Sequence, residues 1–109
     1  MKKFSKYICD FSDTIQQAYN HIKKNKTTFV LVKKGKKIIG TFTLGDFKKA
    51  LFKGVKLSSK VSSVVSKKFF YVNKNYDRSQ LRRIFSKNTL DFIPVLENFV
   101  LVDVIFKKE

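Results

Sequence analysis

The chain has few of the residues that serve covalent or metal chemistry. Its 109 residues include one cysteine, one histidine, one proline and no tryptophan. A lone cysteine excludes an intramolecular disulfide, which suits a reducing cytoplasm, and with a single histidine it cannot build a zinc site. We therefore interpret Cys9 as a residue that either packs in the core or has a harmless surface position, and His21 as a solvated residue on the polar side of a lysine-rich helix.

Acidic residues and glycines are also scarce, with eight and four respectively. The carboxylates are too scattered for a two-carboxylate catalytic site or a magnesium cage. The glycines form neither a phosphate loop nor a dinucleotide fingerprint, and no Ser–His–Asp or Cys–His arrangement is visible. The sequence therefore predicts a segment that is not itself an enzyme.

Long apolar runs are missing as well, since none approaches the roughly 20 residues that a membrane helix needs. The basic stretch at residues 1–6 is not followed by a long apolar region, and Asp10 and Asp13 come early. This pattern disfavours a signal peptide. We expect a cytoplasmic domain with no membrane partner.

Lysine and phenylalanine are abundant instead. The formal net charge is +16, and there are 12 phenylalanines. Clustered cations can bind nucleic acid, but base readout favours arginine, and only Arg78, Arg82 and Arg83 are arginines. Because the lysines are scattered over turns and helix faces, we interpret the charge as compositional and disfavour nucleic acid as a partner. The excess charge still favours anionic ligands or an acidic partner domain.

Apolar spacing predicts an α/β chain in which helices and strands alternate. In the first half we predict a helix at residues 13–24 that is capped by Ser12 or Asp13. Strands at residues 27–32 and 37–43 follow, joined by a turn around Gly35. A second helix at residues 47–53 ends at Gly54.

The second half repeats this order after a polar linker at residues 57–66. We predict a strand at residues 69–72, a helix capped by Asp77, and strands at residues 90–96 and 99–106. Pro94 lacks an N–H donor, so its strand is expected to lie at an edge or to carry a break in its ladder.

A shift of 63 positions places the first half on the second. Residues 29–32 then align with residues 92–95, Ala18 with Leu81, and Ile22 with Phe85. A repeat of this length predicts two pseudo-symmetric units that share one core. Neither half, at roughly 50 residues, would bury enough apolar surface alone.

The repeated motifs resemble those of the CBS domain, two of which in tandem form a Bateman module. The resemblance implies a tandem CBS pair over residues 1–109, with a first unit at 7–57 and a degenerate, incomplete second unit at 58–109. Residues 40–54 are similar to the CBS pair that precedes sugar-phosphate nucleotidyltransferase domains in bacteria. The matching motifs are Thr14-Ile15-x-x-Ala18, Phe29-Val-Leu-Val32, Ile39-Gly-Thr-x-Thr-x-Gly-Asp46 and Phe92-Ile-Pro-Val95.

The resemblance implies an adenine-nucleotide site for AMP, ADP or ATP in the first unit. Thr43 and Asp46 occupy the positions that contact ribose and phosphate in this family. A carboxylate accepts from ribose hydroxyls, and a threonine hydroxyl with helix N-terminal N–H groups suits a phosphate. The full candidate set is Ile8, Thr27, Thr28, Gly40, Thr41, Thr43, Asp46, Lys48 and Lys49.

Ordinary helix capping is the alternative reading of Thr43 and Asp46. The second unit has no threonine or serine at this spacing before an aspartate, so we expect one competent site at most. The leading hypothesis is a homodimeric regulatory module of a nucleotidyltransferase that senses an adenine nucleotide. A ligand-free dimerisation module and a nucleic-acid-binding basic domain remain as alternatives.

Overall fold

The computed structural model of the protein describes residues 2–88 and 90–107. Their alternating helices and strands confirm the α/β class. Two short 3-10 helices, Lys2–Tyr7 and Val61–Ser63, accompany them. The chain divides into two compact units between Phe69 and Phe70, so the polar linker belongs to the first unit. In chain order the elements are β1 (Ile8–Asp10), α1 (Ile15–Asn25), β2 (Phe29–Lys34), β3 (Lys37–Thr43), α2 (Leu44–Phe52), β4 (Val72–Asn73), α3 (Arg78–Lys87), β5 (Phe92–Glu97) and β6 (Val100–Phe106).

The first unit is a three-stranded sheet with α1 and α2 packed against one face. The strand order is β1-β2-β3, with β1 parallel and β3 antiparallel to β2. The helical apolar face predicted for α1 is confirmed, because Ile15, Ala18 and Ile22 are fully buried. They meet Val30, Val32 and Phe42 of the sheet in one core cluster. Full burial of each large aliphatic side chain stabilises the unit by about 1.5–3 kcal/mol.

The second unit repeats this sheet in the order β4-β5-β6, with the same strand directions. The correspondence of 63 positions extends to single contacts. The register shift between Val32 and Lys33 recurs between Val95 and Leu96. The side-chain amide of Asn25 donates to the His21 carbonyl at 2.9 Å, and Asn88 donates to the Ile84 carbonyl at 2.9 Å.

The cap of α1 is Thr14, and the prediction of Ser12 or Asp13 is wrong. Thr14 Oγ1 accepts from the Gln17 N–H at 3.0 Å, and Gln17 Oε1 accepts from the Thr14 N–H at 2.8 Å. This reciprocal pair is a capping box, which satisfies two backbone donors at once. The Asp13 carboxylate instead accepts from the Asp10 N–H at 3.0 Å.

Three further features differ from the prediction, namely two element boundaries and the position of one strand in its sheet. The helix α2 begins at Leu44 and not at residue 47. The strand predicted at residues 69–72 is reduced to Val72–Asn73. Pro94 lies in β5, the central strand of its sheet, so of its two predicted settings the edge position is wrong. The other setting, a break in the ladder, is confirmed, because the short β4 is in register with Val95 and Leu96 only and Pro94 faces no registered residue of β4.

Candidate functional site

The candidate site is built around the N-terminus of α2. Thr43 is the N-cap residue, and its Oγ1 accepts from the Asp46 N–H at 3.0 Å. The Asp46 Oδ2 accepts in return from the Thr43 N–H at 2.9 Å. The structure therefore brings the predicted pair together as a capping box, and both side chains are partly buried. Carboxylate oxygens have about four acceptor positions, so Asp46 keeps acceptor capacity beyond this bond.

Ser66 is a member of this cluster that the sequence did not indicate. Its hydroxyl donates to Asp46 Oδ1 at 3.2 Å and Oδ2 at 3.3 Å, both long for hydroxyl donors. The backbone of Ser66 pairs with Thr41 through N···O distances of 2.8 and 2.9 Å. No local sequence motif indicates that a serine 20 positions after the aspartate contacts it. The contact could have been predicted only from the pairing of Ser66 with β3.

Gly40 provides the space for that pairing. A Cβ at this position would lie 2.5 Å from the Ser66 carbonyl oxygen and 2.6 Å from Val65 Cγ2. Atoms do not approach so closely, so any larger residue would push this segment away. Gly40 therefore permits the approach of residues 65–66, which hold the Ser66 hydroxyl beside Asp46.

Three candidate residues, which are Ile8, Thr41 and Thr43, lie on the face of the sheet opposite α1. Ile8, Leu31 and Thr41 are in register across the three strands, so their side chains share one face. Thr43 lies two positions beyond Thr41 and shares that face too. Ile8 and Thr41 are buried, with 8% and 6% of their surface exposed.

Thr27 and Thr28 border the start of α2. The Leu44 N–H donates to the Thr28 carbonyl at 3.2 Å, which ties this segment to the helix N-terminus. Thr27 Oγ1 is buried and has no hydrogen-bond partner in the part of the chain that the structure describes. A buried hydroxyl without a partner costs about 1–3 kcal/mol.

Lys48 and Lys49 are both exposed on α2. Lys49 follows Asp46 by three positions and lies on the same side of the helix. Lys48 follows Asp46 by two positions and faces away, because residues two apart do not share a helix face. Of the two predicted cations, Lys49 is the one placed toward the site.

The second unit lacks the equivalent groups where the structure describes it. The counterparts of Gly40 and Thr43 are Asp103 and Phe106, both exposed. The Asp103 carboxylate accepts from the Val104 N–H at 2.8 Å. The counterpart of Asp46 is Glu109, which lies outside the described residues.

The described residues contain no group of histidine, cysteine, aspartate or glutamate side chains that could hold a metal ion. Their helices are also all too short or too polar to cross a bilayer.

Comparisons with known proteins find a matching family model for part of the chain and solved structures with the same fold. A family model of the CBS domain matches residues 5–53. No curated protein matches the sequence. Among solved structures, a signal-transduction protein with CBS domains from Burkholderia ambifaria MC40-6 is similar with a TM-score of 0.75 and 20% identity, covering 92% of this chain and 75% of that one.

Two further structures have the same fold. The CBS domains of a transcriptional regulator from Streptococcus pneumoniae have a TM-score of 0.75 at 18% identity, covering 94% of this chain and 85% of that chain. The cytosolic domain of the Mg²⁺ channel MgtE, in complex with ATP, has a TM-score of 0.72 at 16% identity. The match with that domain covers 93% of this chain and 42% of the other.

Proposed function

We propose that this chain, which carries a CBS domain at residues 5–53 and has the fold of a CBS-domain pair, is a regulatory module that binds an adenine nucleotide. The observation that carries the proposal is the Thr43–Asp46 pair at the N-terminus of α2. It combines a carboxylate and a hydroxyl, which suit ribose and phosphate, at a helix N-terminus where the Leu44 and Asp46 N–H groups are already hydrogen-bonded within the unit.

Two features around the pair support the assignment. The Ser66 hydroxyl makes only long bonds to Asp46, so ribose hydroxyls can compete for the carboxylate. Lys49 adds positive charge one turn into the helix. The related MgtE domain was solved with ATP, which makes an adenine nucleotide the first ligand to test.

The proposed mechanism is a shift between two arrangements of the module. A nucleotide that binds one arrangement more tightly raises its population, by an amount set by the difference in affinity. Ribose hydroxyls would donate to Asp46, while the Thr43 hydroxyl would donate to phosphate. The mechanism requires binding alone, with no covalent step.

Isothermal titration with AMP, ADP and ATP tests the proposal. We expect heat with at least one nucleotide, and about tenfold weaker binding in Asp46→Asn, because the neutral amide is a poorer acceptor for ribose hydroxyls. Asp77→Asn is the matched control, since it alters a helix cap in the second unit and should leave the affinity unchanged.

Two results would contradict the proposal. One is the absence of heat and of any thermal shift at millimolar concentrations of all three nucleotides. The other is a tight dimer that nucleotides do not alter and that persists in Asp46→Ala, which would favour a ligand-free structural module. Equal weakening by Asp46→Asn and Asp77→Asn would assign the effect to lost helix caps.

We further propose that the module forms a homodimer in the cytoplasm and regulates a nucleotidyltransferase. The similarity of residues 40–54 to CBS pairs that precede such enzymes supports the regulation of a nucleotidyltransferase. The lone buried Cys9 suits the reducing cytoplasm. Sedimentation of the purified chain tests the dimer. A chain that is monomeric at all concentrations would rule out the homodimer and would leave the proposal of nucleotide binding unaffected.

A further inference from the structure

The Ser66 hydroxyl lies in front of both oxygens of the Asp46 carboxylate. Ser66 Oγ is 3.2 Å from Oδ1 and 3.3 Å from Oδ2. A serine hydroxyl has one proton to donate, so the two carboxylate oxygens share a single donor. The two neighbouring hydroxyls of a ribose would use the same pair of oxygens, one each. Ser66 therefore occupies the part of Asp46 that a ligand with paired hydroxyls would bind.

The Asp46 carboxylate is held in place by a better bond than those it accepts from Ser66. Its Oδ2 accepts from the Thr43 N–H at 2.9 Å, which is a usual length for an N–H donor. Hydroxyl donors usually lie about 2.7–2.8 Å from their acceptor, so the contacts of Ser66 are stretched. Rotation of the carboxylate away from Ser66 would break the capping box of α2, whereas withdrawal of Ser66 would leave the box intact. When a ligand reaches Asp46, Ser66 is therefore the group that moves.

The main chain of Ser66 is attached to β3 through a single pair of residues. Its N–H donates to the Thr41 carbonyl at 2.8 Å, and its carbonyl accepts from the Thr41 N–H at 2.9 Å. This pairing is an isolated bridge and does not continue into a strand. Loss of the hydroxyl contact with Asp46 would therefore remove one of the few described hydrogen bonds that hold Ser66 to the first unit.

Ser66 lies near the end of the linker that leads from the first unit to the second. Earlier in the linker, Val61 is fully buried, and its N–H donates to the Asp13 carbonyl at 2.8 Å. Lys67 and Lys68, which follow Ser66, are exposed, and the division between the units comes directly after the next residue. The attachment of Ser66 therefore fixes the last part of the linker before the chain enters the second unit.

We propose that the contact between Ser66 and Asp46 couples the candidate nucleotide site to the linker. The inference rests on the proposed function, because it describes how that same site is regulated. Ribose hydroxyls displace the Ser66 hydroxyl from Asp46, which weakens the pairing of Ser66 with Thr41 and loosens the end of the linker. The coupling is reciprocal, so detaching Ser66 from Asp46 raises the affinity of the site for the nucleotide.

Hydrogen exchange of the full chain without nucleotide tests whether the contact holds the linker. The amides of Thr41 and Ser66 report the pairing directly, because each donates across it. Ser66→Ala should lower the protection factors of both amides about fivefold, since a hydrogen bond that supports the pairing is lost. Ser63→Ala is the matched control and should leave both protection factors unchanged. Ser63 lies in the same linker, and its hydroxyl donates to the Lys60 carbonyl at 2.7 Å.

Titration with AMP, ADP and ATP tests the competition for Asp46. We expect Ser66→Ala to bind about fivefold more tightly than the wild-type chain, because no internal donor competes for the carboxylate. Ser63→Ala should bind like the wild type. A saturating nucleotide should also lower the protection factors of the Thr41 and Ser66 amides in the wild-type chain, whereas shielding by a ligand would raise them. Circular dichroism verifies that each variant is folded.

The outcomes distinguish this proposal from the proposed function. Equal protection factors in Ser66→Ala and Ser63→Ala without nucleotide would overturn the role of the contact, whether or not a nucleotide binds. Equal nucleotide affinities of the wild type and Ser66→Ala would overturn the coupling and leave nucleotide binding in place. The absence of nucleotide binding to both proteins would overturn the coupling together with the proposed function. Binding to Ser66→Ala alone would support the coupling, because the Ser66 hydroxyl would then block the site.

Discussion

At the scale of single residues, Cys9 is the side chain whose chemistry the fold changes most. It lies in β1 with 4% of its surface exposed. Burial, with smaller contributions from the charges of Asp13 and Asp10, raises the pKa of its thiol from 9.0 to about 12. The packed role predicted from its isolation in the sequence agrees with this environment.

The raised pKa makes stability depend on pH in the alkaline range. The unfolded thiol loses its proton near pH 9, whereas the folded thiol keeps it to about pH 12. The unfolded state therefore binds fewer protons above pH 9, and the free energy of unfolding falls as the pH rises. We expect a loss of about 1 kcal/mol between pH 8 and pH 10 relative to Cys9→Ala, measured by urea denaturation. Parallel pH profiles of the two proteins would contradict this.

Residue types in the sequence predicted part of the candidate site. Thr43 and Asp46 were identifiable because they are close in sequence and their spacing matches a local capping pattern. Ser66 was not, because its contact with Asp46 depends on a pairing between Ser66 and Thr41 across a linker. That pairing in turn depends on Gly40, whose missing side chain leaves room for it. Long-range contacts of this kind produce no periodic pattern in the sequence from which they could be predicted.

At the scale of elements, capping motifs set the helix boundaries. The existence of α1 and α3 followed from apolar spacing, because a buried face must recur about every 3.6 residues. The position at which α1 starts did not follow from apolar spacing, because Ser12, Asp13 and Thr14 can all act as the N-cap residue. Ser12 instead donates to Asp10, which lowers the pKa of the Asp10 carboxyl, and Asp13 accepts from Asp10. The choice among them is a competition between local hydrogen bonds.

The capping box of α1 gives a direct stability prediction. Thr14→Ala removes the acceptor for the Gln17 N–H, so we expect a loss of about 1 kcal/mol in the free energy of unfolding. Lys24→Ala, an exposed change in the same helix, should stay within about 0.5 kcal/mol of wild type. Chemical denaturation measures both. Equal effects from the two substitutions would mean that the cap contributes nothing specific.

At the scale of the whole molecule, the repeat predicted two units with the same succession of helix and strands along the chain, whereas the order of the strands within each sheet comes from the structure. The differences between the units were harder to predict, because they concern which faces are covered and not which elements exist. The helix α1 has three fully buried residues, whereas α3 has none. Equivalent elements therefore differ in how much apolar surface protects their backbone hydrogen bonds.

Hydrogen exchange should report this asymmetry. We expect the amides of α3 to exchange at least tenfold faster than those of α1, because less packing must be broken to expose them. Ala18 with Leu81, and Ile22 with Phe85, are matched positions for the comparison. Equal protection at these pairs would mean that the two units open together as one cooperative body.

The register shift common to both sheets affects how the chain tolerates changes in length. In β3, Ile39 is the residue left out of register, and Val102 is its counterpart in β6. A one-residue slip in a strand reverses which side chains face which way. A bulge can absorb such a slip. An insertion or deletion at the β2–β3 hairpin can therefore be accommodated beyond Ile39, while Thr41 and Thr43 keep their facing. The irregularity separates the turn from the face that carries Thr41 and Thr43, so a change in hairpin length can leave the orientation of these two residues unaltered.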